Sequence, residues 1–98
     1  MNYMGAFTPC ETTYTIAVST TSGGGPIPGT GNIARVCNVG STECFIRFSE
    51  DNTEATTESF PIPGNTIQYV VLSDGYDTVD AITASGTTTL RVTRGTMG

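Results

Sequence analysis

Period-two alternation interrupted by turn residues is the feature that most constrains this chain, because a segment that switches its side chains between two faces at every residue buries its apolar half only as a strand. Residues 14–20 set Tyr14, Ile16 and Val18 on one side and small residues on the other. Near the other end, residues 87–93 set Leu90 and Val92 against Thr89, Arg91 and Thr93. Between them, residues 33–39, 44–48, 67–72 and 78–83 read as further strands, with 67–72 expected to be buried for much of its length. Phe60-Pro61-Ile62-Pro63-Gly64 is a short extended piece whose prolines place it at an edge or between sheets.

The punctuation is as informative as the strands. Gly40-Ser41, Asp74-Gly75 and Ser85-Gly86 supply turns, and the first predicts a tight hairpin joining 33–39 to 44–48. Residues 22–29, with four glycines and two prolines, read as a loop. Residues 49–58 carry four carboxylates and no basic side chain, and read as a solvated loop with at most a helical turn. Strands spaced every ~8–12 residues and joined by such turns predict an all-β fold: an antiparallel β-sandwich, jelly-roll-like, forming a single domain over residues 14–98. The 19 threonines among 98 residues favour the same conclusion, since a β-branched side chain suits a pleated surface better than a helix. Residues 1–13 hold too few apolar side chains to anchor themselves and are expected to be an arm ordered by a partner and extended over a neighbouring subunit.

Charge and length exclude several classes. A chain of this size buries roughly 65% of the surface its unfolded form exposes, enough for one core without staples and too little for a two-domain enzyme. Four Arg, no Lys and nine Asp and Glu give a net charge of −5 and no basic stripe for a phosphate backbone, so no nucleic acid is expected. No apolar run approaches the ~20 residues that cross a bilayer, so no membrane is expected either. The first residues lack the charged and apolar regions of a signal peptide, which points to a cytoplasm or a particle assembled in one. Three cysteines in neither a CxxC nor an even framework are expected to be reduced.

No constellation of catalytic type emerges. The predicted hairpin would set Cys37 opposite Cys44, but at a hydrogen-bonded pair, where the longer Cα separation suits a disulfide poorly, so two reduced core thiols are the preferred reading. With neither His nor Lys in the chain, no cysteine has a base to activate it. Asp74, Asp77 and Asp80 are spaced by three, but Gly75 breaks any helix; they read as a polar turn followed by a strand with Asp80 on the solvent side, and the EF-hand pattern is missing. Glu43, Glu50, Glu54 and Glu58 sit in a turn and a hydrophilic loop, not in the dry pocket that a glycosidase acid requires. The glycine-rich segment lacks the Lys-Ser/Thr of a phosphate-binding loop. The expectation is therefore no catalytic residue, no cofactor and no metal ligand.

What remains is surface. One face of the predicted 33–48 hairpin carries Ile33, Arg35, Cys37, Cys44, Ile46 and Phe48 and is expected to be core. The opposite face carries Ala34, Val36, Asn38, Phe45 and Arg47, more apolar than a solvated strand needs to be. Arginine suits bidentate pairing at interfaces, and all four lie on or just after predicted strands. Val36, Phe45, Arg47, Arg91 and Arg94 are thus the candidate partner interface.

The runs Arg35-Val36-Cys37-Asn38-Val39-Gly40-Ser41, Phe45-Ile46-Arg47-Phe48, Phe60-Pro61-Ile62-Pro63-Gly64, Asp80-Ala81-Ile82-Thr83-Ala84-Ser85-Gly86 and Val92-Thr93-Arg94-Gly95 resemble the small capsid decoration, or cement, proteins of tailed bacteriophages. The resemblance covers about residues 33–95 and rests on strand and turn grammar. It departs at Cys37 and Cys44, where aliphatic residues would be expected. It implies a β-sandwich or jelly roll with no cofactor, a dimer or trimer at symmetry axes of the shell, the major capsid protein as partner, and a place on the capsid exterior. Two other classes compete: a head-tail connector or tail component, and a carbohydrate-binding β-sandwich at a fibre tip. For the last, Tyr69 and Tyr76 flank the Asp74-Gly75 turn, but the chain has no Trp.

Overall fold

The computed structural model describes residues 7–97. These residues form eight strands: β1 (Phe7–Val18), β2 (Gly23–Pro26), β3 (Ile33–Asn38), β4 (Cys44–Ser49), β5 (Phe60–Ile62), β6 (Thr66–Val71), β7 (Thr78–Ile82) and β8 (Thr88–Met97). They form two four-stranded sheets, β1-β8-β3-β6 (sheet A) and β2-β7-β4-β5 (sheet B), in which every pairing is antiparallel. Only β4 and β5 are consecutive in the chain and adjacent in a sheet; every other connection crosses between sheets or skips strands. This is the jelly-roll order, and it confirms the all-β sandwich expected from the alternation.

The core is the space between the sheets. Sheet A contributes Ile16, Val18, Ala34, Val36, Leu90 and Val92, and sheet B answers with Cys44, Ile46, Ile62, Val79 and Ala81. The alternation in β8 is as expected, with Leu90 and Val92 fully buried and Arg91 exposed.

Four expectations need correction. First, Gly40-Ser41 does not close a hairpin: β3 lies in sheet A and β4 in sheet B, so the connection is an arch from one sheet to the other. Asn38 ties the arch together, its side chain fully buried inside it. Its Nδ2 donates to the carbonyls of Thr42 (2.9 Å) and Ile62 (3.1 Å), and its Oδ1 accepts from Gly40 N–H (3.2 Å) and Thr88 Oγ1 (2.6 Å). The faces of β3 are consequently reversed, with Ala34, Val36 and Asn38 inward and Arg35 and Cys37 outward.

Second, residues 7–13 are not an arm. Phe7, Thr8 and Pro9 pair with Met97, Thr96 and Gly95, and a bulge between Pro9 and Thr13 resets the register. Backbone pairing and a Thr13–Thr93 hydroxyl bond of 2.7 Å do here what apolar anchors would otherwise do. Residues 1–6 of that proposed arm lie outside the described residues.

Third, the glycine-rich segment is partly a strand: Gly23–Pro26 pairs with β7. A Cβ on Gly24 would collide with the Val79 carbonyl oxygen, so close backbone approach selects glycine there despite its poor strand propensity. Fourth, 67–72 is not mostly buried. As β6 it is an edge strand in which exposed and half-buried residues alternate. The 49–58 loop and the edge position of β5 are as expected, although Ala55 in the loop is buried.

Candidate interaction face

The five residues chosen from sequence do not come together. Val36 is fully buried in the core, because the arch turns its side of β3 inward, and it is removed from the interface. Phe45 is half-buried on the outer face of sheet B, next to exposed Arg47 on the same strand. Arg91 is exposed on the outer face of sheet A, on the opposite side of the sandwich. Arg94 is structural: its Nε and one terminal nitrogen donate to the Gly31 carbonyl at 3.1 and 2.6 Å, and the other bridges to Asp77 Oδ1 at 2.9 Å.

The cysteines separate as well. Cys44 lies in the core of sheet B, and its burial beside the Glu43 carboxylate pushes the thiol up to about 11, so it stays protonated and inert. Cys37 sits half-buried on the outer face of sheet A. The two belong to different sheets, so the cross-strand alternative raised by the hairpin reading is gone. Cys10 lies at the bulge of β1, its thiol directed at the Pro28 carbonyl at 3.8 Å.

Asp80 differs from the solvated carboxylate expected. It projects from the outer face of sheet B but is covered, and only 4% of it is exposed. Its Oδ2 accepts from Ser22 Oγ at 3.0 Å, and Ser22 Oγ in turn accepts from the Ala55 N–H at 2.9 Å, which ties the acidic loop over the strand. Oδ1 has no partner. Desolvation raises the Asp80 pKa, the Ser22 hydrogen bond opposes this, and Glu54 nearby adds to the rise. Among the described residues no three His, Cys, Asp or Glu side chains converge on a metal-sized site.

Exposed apolar surface concentrates where the sequence reading did not place it. Of the large hydrophobic side chains exposed among the described residues, Phe60 (49%), Ile67 (47%), Tyr69 (49%) and Val71 (72%) lie on β5 and β6, and only Val39 and Tyr76 lie elsewhere. Strands β5 and β6 run along one flank of the sandwich, each at the edge of its sheet. Tyr69 also borders a groove of about 560 Å³ on the outer face of sheet A, together with Phe7, Pro9, Cys10, Thr13, Arg35 and Thr93. The Phe7 and Tyr69 rings meet edge to face, with centroids 5.5 Å apart.

These residues escaped the sequence reading for two reasons. Phe7 falls in the segment expected to be an arm, and 67–72 has apolar residues on both faces, which mimics a central strand. The available signal was the flanking Pro61 and Pro63, which mark the neighbouring segment as an edge. No known protein family, curated protein or solved structure matches the chain.

Proposed function

We propose that this protein is a non-catalytic virion protein that binds the outer surface of an assembled phage capsid and stabilises it by bridging neighbouring capsomers. The observation that carries the reading is the row of exposed apolar side chains on β6, Ile67, Tyr69 and Val71, with Phe60 exposed on the neighbouring β5 edge, on a jelly roll whose other edges are polar or short. Apolar patches of this kind, rimmed by polar residues, serve protein contacts. The sequence resemblance to decoration proteins supplies the identity of the partner, and the jelly roll is an architecture that capsid and lectin domains share.

The physical benefit follows from linkage. A small module that binds the assembled lattice and not its separated subunits stabilises the assembled state, by about 2.7 kcal/mol per site at a hundredfold excess over its Kd. A shell repeats the site many times, so a modest patch on each copy suffices. An acidic, lysine-free surface keeps the free protein soluble until it docks.

The test is to fractionate the source lysate on a density gradient and quantify this chain against the most abundant protein of the particle fraction. A near-stoichiometric ratio is expected. A few copies per particle would favour a connector or tail component, and absence from particles would overturn the reading. The Phe7–Tyr69 groove, with Arg35 and the Thr13 and Thr93 hydroxyls beside it, favours a second reading as a carbohydrate-binding module. Chemical-shift changes at Tyr69 and Phe7 on adding glycans from an array hit would support it.

A further inference from the structure

We infer that β6 is the two-fold interface of a homodimer, in which the β6 edges of two copies pair antiparallel and join their A sheets into one continuous eight-stranded sheet. Hydrogen-bond parity is the first ground. Leu72 N–H donates to the Asn32 carbonyl at 2.7 Å, so within the β3–β6 ladder Val70, Gln68 and Thr66 also turn their backbone groups toward β3. Ile67, Tyr69 and Val71 therefore aim their N–H and C=O groups away from the sheet, and among the described residues these groups have no partner.

The same three residues carry the exposed apolar side chains. Backbone donors and acceptors and apolar side chains thus share one edge in one register, which is unusual because an exposed edge of this kind is a template for another strand. A second copy fits it without adjustment. A two-fold axis at Tyr69 pairs Tyr69 with Tyr69 of the second copy and Ile67 with its Val71, and reciprocally. Three hydrogen-bonded pairs, each exchanging two bonds, satisfy all six free groups on each strand.

Charge selects the same surface. Each copy carries a net charge of −5, so two copies repel wherever carboxylates face one another, yet no charged residue occurs from Ser59 through Ser73. Phe60, on the same flank, widens the contact. Half-exposed side chains of these types offer roughly 300–400 Å² per copy, less than the ~800 Å² per partner of a standard interface. The dimer is therefore a weak one, half-dissociated in the micromolar range or above. The dimer draws on the same strand as the capsid reading, but edge pairing uses the backbone groups of β6 and leaves the side chains of Ile67, Tyr69 and Val71 on the outer face as one doubled patch. The dimer is tested in purified protein with no particle present, so the two readings fail separately.

The experiment is sedimentation equilibrium on the full chain across micromolar concentrations, for the wild type, Val71→Lys, Ile67→Lys and Thr15→Lys. Val71, Ile67 and Thr15 are all exposed on outer faces, so folding is retained, and thermal melts verify it. The wild type and Thr15→Lys are expected to pass from monomer to dimer with rising concentration, while the two β6 variants raise Kd at least tenfold. A wild type that is monomeric throughout, a dimer indifferent to both β6 changes, or an equal loss in Thr15→Lys would each overturn the inference.

Discussion

Strands β5 and β6 follow one another with only Pro63, Gly64 and Asn65 between them, and both end up as sheet edges on one flank, yet they handle their free edges in opposite ways. Strand β5 is three residues long and holds Pro61, with Pro63 just after it, so it offers little to a pairing strand. Strand β6 is twice as long, without proline, charge or bulge, and it presents Ile67, Tyr69 and Val71 outward. The remaining edges resemble β5 more than β6. Strand β2 is three glycines and a proline, and β1 is bulged between Pro9 and Thr13 and shows Thr13, Thr15 and Ala17 on its outer face. Three edges are blunted and one is left open, which argues that the open one is used.

The largest expected effect comes from removing the residue that builds this flank. Asn38 belongs to β3, which holds β6 in place, and it also donates to the Ile62 carbonyl of β5. Asn38→Leu leaves the Thr88 hydroxyl, the Gly40 N–H and two carbonyls without their partner. A loss of about 3–5 kcal/mol is expected in urea unfolding, and a change below ~1 kcal/mol would show that the arch is held by something else. Next is the contrast between the edges themselves. Val71→Lys should weaken self-association at least tenfold, about 1.4 kcal/mol, while Phe60→Lys, at the blunted edge, should cost clearly less; equal effects would erase the distinction drawn between β5 and β6.

Asp80 gives a smaller effect with a definite pH dependence. Its folded pKa is raised, so folding disfavours the carboxylate. At neutral pH the ionised group subtracts from stability, and that deficit is recovered as pH falls through the raised folded value toward the ordinary 3.8. Asp80→Asn keeps an acceptor for Ser22 and removes the charge, so it should be neutral or stabilise by up to about 1 kcal/mol at pH 7, with the difference shrinking in acid. Denaturation at two pH values checks this, and a variant less stable at neutral pH would contradict it. The smallest effect is expected from Asp77→Ala, which breaks the bridge to Arg94. Asp77 is 61% exposed, so less than ~1 kcal/mol should be lost.

The sequence made the strands legible and left their order hidden. Alternation located β3, β4 and β8 to within a few residues, because one buried face is enough to impose the period. It failed where side chains do not carry the strand: β2 is held by a close backbone approach that only glycine permits, and the start of β1 by pairing with β8. The same turn dipeptides serve hairpins and arches, so Gly40-Ser41 carried no information about which sheet followed. Asn38, which holds the arch, looked like one polar position on the candidate interface face until its four partners were in place. The interaction face was legible only in part, since Val36, expected at the interface, is core, and Tyr69 and Val71, in a strand expected to be buried for much of its length, are exposed.

Amide exchange at Ile67, Tyr69 and Val71, measured residue by residue in dilute and concentrated protein, addresses the open edge most directly. These three N–H groups should exchange as free edge amides when dilute and become protected together as concentration rises, while the already bonded amides of Gln68 and Val70 change little. Exchange that stays fast at all three positions in concentrated protein would contradict the account.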